Sequence, residues 1–330
     1  MELFSLYCHL FYTTFLSLSL LLISKGASGA TFTFVNKCDF TVWPGILSGA
    51  GSPKLESTGF ALTKGSSRTF QAPTGWSGRF WGRTGCNFDD SGSGSCATGD
   101  CSSGTIECNG ATATPPATLA EITLGSGSQD FYDVSLVDGY NLPMIVEGSG
   151  ESGTCESTGC VTDLNRRCPS ELRTDDGRGC KSACEAFGKP EYCCVGAYGT
   201  ASTCKPSQYS ELFKSACPKS YSYAYDDATS TFTCTGADYT ITFCPSSPSL
   251  KSSRDSPPEI VGTTTDESGL GSGSGSGSES GSDSALQQAE LATSWLANLA
   301  SGDSSRTHPS LAFSSTLILA ISLLLSFLCL

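Results

Sequence analysis

The chain has 330 residues, with 19 lysines and arginines against 32 aspartates and glutamates, and its net charge at pH 7 is −13. An acidic chain without a basic stripe is a poor candidate for binding nucleic acid or an anionic lipid surface. Its two histidines, His9 and His308, lie near the two ends. The long middle of the chain therefore lacks the residue on which Ser-His-Asp triads and histidine metal sites depend.

Residues 1–29 are predicted to be a secretory signal peptide. An apolar run extends to Ile23, and Ala27 and Gly29 supply the small residues that precede a cut before Ala30. A signal anchor is the alternative, but the small residues at the cut favour cleavage. We therefore expect the protein to enter the oxidising secretory route.

The next segment, residues 30–245, is predicted to be mainly β. Runs of β-branched and aromatic residues recur between Gly, Pro, Ser and Asp, as in ATFTFVNKC, GRFWGRT and DYTITFC. Many short strands with few helical periods favour a β-sandwich or barrel. Residues 161–217 differ, because they are short cysteine-rich loops with two predicted helices. The first, in Cys180–Gly188, is stopped by Gly188 and Pro190, and the second, in Ser207–Cys217, is capped by Ser207. We expect a β core and a disulfide-rich lobe.

One predicted strand carries two acids. The stretch DFYDVSLVDGYNLPM predicts a strand from Phe131 to Val137, followed by a turn at DGYN. Asp133 and Asp138 are five residues apart, so on a straight strand they would face opposite sides. The turn allows both to reach one groove, with Asp133 on the same face as Ser135. We expect the two acids to converge at the edge of the core and not to be buried in it.

The C-terminal part changes composition. Residues 246–303 are rich in Ser, Gly and Pro, including GLGSGSGSGSESGSDS, and are predicted to be a flexible linker. Residues 304–330 end in an apolar stretch behind a polar spacer and small residues, the pattern of a GPI-attachment signal. We expect attachment at Ser301, within the window Ser301 to Ser304, on the extracellular face of the plasma membrane. A transmembrane helix, which needs about 20 apolar residues, or a secreted form is the alternative.

The cysteines indicate a disulfide framework. Of 18 cysteines, Cys8 and Cys329 lie in the terminal segments, and the other sixteen lie between Cys38 and Cys244. An even number in a secreted chain implies eight disulfides, although spacing alone leaves the pairing open. Zinc binding is the alternative, which the oxidising compartment disfavours. We expect no metal and no cofactor.

The remaining chemistry is that of carboxylates. Without histidine or free thiol in residues 30–245, catalysis would rest on Asp, Glu, Tyr, Lys or Arg. Glycoside hydrolysis is the reaction class that runs on two carboxyl groups alone. The simpler alternative is that these acids are solvated loop residues.

The cysteine-rich middle resembles the thaumatin-like proteins, pathogenesis-related family 5 of plants. The resemblance rests on GSGSCATGDCSSGTIEC, WGRTGC, FYDVSLVDGYNLPM, YCCVG and YSYAYDDATSTFTC, and it covers Ala30–Pro245. It implies a flattened sandwich of about eleven strands, with the disulfide-rich lobe at about 161–217 packed across it. The linker and the C-terminal tail lie outside it.

The resemblance also implies a disulfide pairing, in which the adjacent cysteines of YCCVG take different partners. The implied pairs are Cys38–Cys244, Cys86–Cys96, Cys101–Cys108, Cys155–Cys234, Cys160–Cys217, Cys168–Cys180, Cys184–Cys193 and Cys194–Cys204.

Antifungal members of this family have an acidic cleft between the sandwich and the lobe. The matching residues here are Arg79, Glu121, Asp133, Asp138 and Asp226. Arg83 and Asp227 are alternatives at the first and last positions, and Tyr140 is a candidate aromatic wall.

The resemblance implies three possible functions. The first is an antifungal, monomeric protein that binds β-1,3-glucan of cell walls. The second is a weak endo-β-1,3-glucanase with Glu121 and Asp138 as its acid pair. The third is a non-catalytic structural or signalling protein between membrane and wall.

Overall fold

The computed structural model describes residues 29–150, 152–153 and 155–245. The predicted linker, the hydrophobic tail, both histidines and the window Ser301 to Ser304 lie outside the described residues, as does the signal peptide except for Gly29. Within these ranges, no helix is long and apolar enough to cross a membrane.

Two sheets form a sandwich, one of five strands and one of six, which together make the eleven strands that the family resemblance implies. A separate two-stranded hairpin accompanies them. The strands are β1 (Thr31–Asn36), β2 (Trp43–Ser48), β3 (Ser67–Gln71), β4 (Ser77–Arg83), β5 (Asn87–Phe88), β6 (Gly94–Ser95), β7 (Leu119–Thr123), β8 (Asp130–Ser135), β9 (Met144–Ser149), β10 (Ser152–Gly153), β11 (Thr158–Cys160), β12 (Phe232–Thr235) and β13 (Asp238–Phe243).

The strand order places the first and last strands of the sandwich side by side. The five-stranded sheet runs β11-β9-β13-β1-β3, in which β1 is parallel to β13, and the six-stranded sheet runs β10-β12-β8-β7-β4-β2. Neighbouring strands in the second sheet are antiparallel from β10 to β2. The middle strands of that sheet, β8, β7 and β4, carry most of the predicted cleft residues.

The sandwich core lies between the two sheets and is rich in aromatic side chains. β1 alternates half-buried threonines with the fully buried Phe32 and Phe34, as a strand with one face on the core should. Phe32 and Phe34 both contact Phe80 of the opposite sheet at about 5 Å between ring centroids. Burying each such side chain contributes about 1.5–3 kcal/mol. The prediction of a mainly β sandwich is confirmed.

The disulfide-rich lobe carries three of the four α-helices of the described residues. These are α1 (Ala183–Phe187), α2 (Pro190–Cys193), α3 (Gln208–Ala216) and, after the lobe, α4 (Asp227–Ser230). As predicted, Gly188 ends α1 in a left-handed conformation and Ser207 caps α3. α1 begins only at Ala183 because Cys180 is bound to Tyr140 in a β-bridge. Short 3-10 turns occupy Leu164–Arg167 and Gly196–Tyr198.

Eight disulfides are present, and no cysteine in the described residues is free. Their pairs are those that the family resemblance implies: Cys38–Cys244, Cys86–Cys96, Cys101–Cys108, Cys155–Cys234, Cys160–Cys217, Cys168–Cys180, Cys184–Cys193 and Cys194–Cys204. The first closes the domain from end to end over 206 residues.

The predicted strand with two acids ends earlier than expected. β8 stops at Ser135, where the amide of Leu136 donates to the carbonyl of Tyr221 instead of to a strand of the sheet. A turn follows, in which the Gly139 amide donates a hydrogen bond of 3.0 Å to the carbonyl of Leu136. The turn therefore precedes DGYN by two residues and brings Asp138 back toward the sheet.

Candidate functional site

Three of the predicted site residues lie in one row across the six-stranded sheet. Arg79 on β4 is directly opposite Glu121 on β7, and Glu121 is directly opposite Asp133 on β8. Residues paired in this way present their side chains on the same face of the sheet. Their neighbours Phe80, Ala120 and Val134 belong to the sandwich core. Because successive strand residues alternate, the Arg79 row faces away from that core.

The segment that follows the lobe covers one end of this row. Tyr221 lies alongside β8, with its amide donating to the Val134 carbonyl at 2.9 Å and its own carbonyl accepting from Leu136 at 2.8 Å. Asp133, beside this added segment, has no exposed surface. Asp133 lies outside the sandwich core, but its carboxyl is fully buried beneath the Tyr221 segment instead of being open to a groove at the core edge.

Arg79 pairs with Glu121. Its Nε lies 3.5 Å from a carboxylate oxygen of Glu121, and the two side chains are only 15% and 6% exposed. Arg83, the alternative, points elsewhere: it is fully buried and donates to the carbonyls of Trp43 and Ile106 at 2.9 and 2.6 Å. Arg79 is therefore the arginine that accompanies the acidic row.

Asp138 joins this row from the turn after β8. Its carbonyl accepts from the Ala117 amide at 2.9 Å, which holds the turn against the segment before β7. Burial raises the pKa of the Asp138 carboxyl, and the positive charge of Arg79 opposes that rise. Asp138 is half-buried, so it is the member of the group that meets solvent.

Burial is the largest influence on the pKa values of the two inner acids, and neighbouring charges modify its effect. Burial raises the pKa of Glu121, Arg79 lowers it, and the charge of Asp138 raises it further. For Asp133, burial raises the pKa well above its usual value, and the neighbouring charge of Glu121 adds to the rise. No described residue donates a hydrogen bond to either carboxylate oxygen of Asp133.

Asp226 and Asp227 have different surroundings. The Asp226 carboxylate accepts from Lys214 at 2.9 Å and from the amide and hydroxyl of Ser222 at 3.0 and 2.9 Å. These contacts bind Asp226 to the lobe. Asp227 accepts from the Tyr221 hydroxyl at 2.8 Å, and its charge helps to raise the pKa of Asp133. Asp227 is therefore the one of the two that interacts with the acidic row.

Tyr140, the candidate aromatic wall, does not line a groove. It is fully buried, and its hydroxyl donates to the carbonyl of Thr162 at 2.9 Å. Burial raises the pKa of that hydroxyl far above its usual range. The expectation of an exposed ring at this position is wrong, because the bridge between Tyr140 and Cys180 holds the residue under the lobe.

Glu185 is the acid that sequence reasoning missed. It lies on α1, is exposed to solvent, and interacts with Asp138. Partial burial raises the pKa of Glu185 to about 7, the charge of Lys181 lowers it, and that of Asp138 raises it. In the sequence Glu185 looks like an ordinary surface residue of a short helix, so no local signal could have found it.

Together these groups form an acidic cluster at the junction of sheet and lobe. Its carboxyl groups belong to Glu121, Asp133, Asp138, Glu185 and Asp227, and Arg79 is the cation that interacts with the first three. Carboxyls with raised pKa values can donate or accept hydrogen bonds and protons near neutral pH. Among the described residues, no group of three or more acids, cysteines or histidines is arranged to hold a metal ion.

Comparison with known proteins agrees with this architecture. The chain matches the Thaumatin family over residues 36–245. It is 70% identical to "Thaumatin-like protein 1" of Arabidopsis thaliana, over 68% of this chain and 89% of that protein. It is 57% identical to "Pathogenesis-related protein 5" of the same plant, over 69% and 96%. It is 52% identical to "Glucan endo-1,3-beta-glucosidase" of Prunus avium, over 70% and 97%. The chain belongs to the thaumatin family, among its pathogenesis-related members.

Proposed function

We propose that this chain is an extracellular defence protein whose acidic cleft binds β-1,3-glucan of cell walls. The observation that carries the proposal is the row of Arg79, Glu121 and Asp133, continued to solvent by Asp138. Carboxylates accept hydrogen bonds from sugar hydroxyls, and an arginine both donates to oxygen and limits the repulsion among the acids. Arg79, Glu121, Asp133 and Asp138 are the proposed binding residues, with Asp226 replaced by Asp227 at the fifth position.

The test is a binding measurement with laminarin, a soluble β-1,3-glucan. The full chain, produced by secretion, should bind laminarin but not an α-1,4-glucan of similar length. Asp138→Asn should weaken binding, because Asp138 is the half-buried acid of the row. Asp163→Asn, at an exposed aspartate of the lobe, is the matched control and should bind as the unaltered protein does. Absence of laminarin binding would contradict the proposal.

Hydrolysis of the same polymer is the second candidate, favoured by the relative named as a glucan endo-1,3-beta-glucosidase. A glycosidase needs one protonated and one ionised carboxyl on either side of the scissile bond. Glu121 and Asp138 are the proposed pair, and the burial that raises the pKa of Glu121 suits a proton donor. Glu121 is nevertheless only 6% exposed, so a sugar would have to displace its neighbours to reach it.

Release of reducing ends from laminarin distinguishes hydrolysis from binding. If the chain hydrolyses the polymer, Glu121→Gln should abolish release and leave binding measurable. Binding without release, unchanged in Glu121→Gln, would leave the cleft a binding site alone.

We further propose that a monomer acts at the cell surface. Eight disulfides suit an oxidising compartment. Attachment through a GPI anchor at Ser301 predicts release of the protein from membranes by a phosphatidylinositol-specific phospholipase C. Retention after that treatment would favour a transmembrane tail. If the protein binds none of the β-glucans tested, a structural or signalling role at the cell surface is favoured.

A further inference from the structure

The lobe contributes a carboxyl group of its own to the cleft. Glu185 is the third residue of α1, and its amide donates to the hydroxyl of Ser182, which caps the helix. The helix is also pinned by the disulfide between Cys184 and Cys193. These contacts fix the backbone from which the Glu185 side chain projects, while the carboxyl itself remains exposed.

The helix is held directly beside the turn that carries Asp138. Tyr140 and Cys180 exchange two backbone hydrogen bonds, both of 2.8 Å. Two and three residues after Cys180, Ser182 and Ala183 line one small cavity together with Val137. The turn that carries Asp138 is thus bonded at Tyr140 to the segment that leads into α1, and it shares a cavity with the start of that helix. This packing brings Glu185 within electrostatic reach of Asp138.

The charged groups around Glu185 come from three elements. The turn after β8 contributes Asp138, and the segment before the helix contributes Lys181. α2, which packs against α1, contributes Glu191 and follows Lys189. Partial burial, the largest effect, and the charge of Asp138 raise the pKa of Glu185 to about 7, against the lowering by Lys181.

A buried acid without a partner supports a ligand at this cluster. Asp133 has no exposed surface, and no described residue donates to its carboxylate oxygens. It interacts with Glu121, which interacts with Asp138, and Asp138 in turn interacts with Glu185. The series of acids therefore runs from a buried, unsatisfied carboxyl to an exposed one on the lobe.

We propose that Glu185 is a ligand-contact residue of the cleft, placed by α1 to hydrogen-bond a sugar hydroxyl on the side opposite Asp138. The inference rests on the proposed glucan binding and adds the lobe as its second wall. Asp138 remains the acceptor on the sheet side, because Arg79 favours its ionised form. One neutral and one ionised carboxyl then face the same ligand and can bind it from both sides.

With its pKa raised to about 7, Glu185 can donate this hydrogen bond only while it is protonated, so binding should weaken as the pH rises through about 7. At pH 8, about a tenth of such a group is protonated, so the Kd should be about tenfold higher than at pH 5. The experiment is titration of the full chain with laminarihexaose at the two pH values. Glu185→Gln keeps a neutral donor, and its Kd should be nearly the same at pH 5 and pH 8.

Two variants complete the experiment. Glu185→Ala removes the donor and should bind more weakly than the unaltered protein at pH 5. Glu211→Gln, at an exposed glutamate near the start of α3, should keep the unaltered pH profile. If the Kd of the unaltered protein and that of Glu185→Gln change equally between pH 5 and pH 8, the inference about Glu185 is wrong, while the proposed function stands. No binding by the unaltered protein at either pH would overturn the proposed function together with it.

Discussion

Removing the charge of Arg79 should destabilise the protein strongly, and more so as the pH rises. Arg79→Met keeps a long apolar side chain but leaves Glu121, Asp133 and Asp138 without their shared cation. At the observed 3.5 Å between Arg79 and Glu121, and an effective dielectric constant of about 20, the Coulomb attraction is about 5 kcal/mol. Removing one partner of a buried pair typically costs about 3–5 kcal/mol.

The pH dependence follows from the carboxyl groups that remain. Without Arg79, the pKa values of Glu121 and Asp138 in the folded protein rise further above those in the unfolded chain. When folding raises the pKa of a carboxyl group, the protein loses stability as the pH rises above the pKa of that group in the unfolded chain. The loss is up to about 1.4 kcal/mol per pH unit. The cost of Arg79→Met should therefore be large at pH 7 and small at pH 3.

Guanidinium unfolding with the disulfides intact, followed by fluorescence of the buried Trp76 and Trp81, measures this cost. Arg166→Met is the matched control, because Arg166 lies 3.0 Å from Asp163 but both side chains are exposed. Exposed pairs contribute only about 0.2–1 kcal/mol. A loss below about 1 kcal/mol for Arg79→Met at pH 7, or an equal loss at pH 3, would refute the reasoning.

Three other substitutions test the remaining electrostatics by the same unfolding assay. The stability of Asp133→Asn relative to the unaltered protein should increase from pH 3 to pH 7. The raised pKa of Asp133 lowers the stability of the unaltered protein once the carboxyl ionises in the unfolded chain. A stability difference that stays constant with pH would show that the pKa of Asp133 does not change on folding. Arg83→Met should cost about 3 kcal/mol or more, since the carbonyls of Trp43 and Ile106 lose their donor, and a smaller loss would mean that water replaces the guanidinium. Asp226→Ala should lower the free energy of unfolding by about 1–3 kcal/mol, because Lys214 and Ser222 lose their carboxylate partner. Glucan binding should be unchanged. Loss of binding without loss of stability would show that Asp226 belongs to the cleft.

Patterns local to the sequence were enough for several strands and helix ends, and the family resemblance supplied the disulfide pairing. Alternation of Phe32 and Phe34 with threonines predicted β1, and the Ser207 cap and Gly188 stop predicted two helices correctly. The motifs around the cysteines, read as a family resemblance, implied the eight pairs found. These signals depend on neighbours along the chain or on a family pattern, so they need no knowledge of packing.

The burial and orientation of individual side chains could not be predicted in this way. Asp133 is fully buried because the segment at Tyr221, 88 residues later in the chain, lies on the sheet beside it. Tyr140 is withdrawn from the cleft for a similar reason, through its bridge to Cys180. Each outcome depends on where a distant segment packs, which alternation within one strand does not record.

The sequence by itself, read with its family resemblance, determined a disulfide-rich β-sandwich and a set of candidate acidic residues. Only the tertiary structure selected Arg79 over Arg83, moved the fifth acid from Asp226 to Asp227, and added Glu185 from the lobe. The physical reason is that a charge takes its role from the charges and the burial around it. In this protein those surroundings come from strands, loops and a helix that meet only after folding.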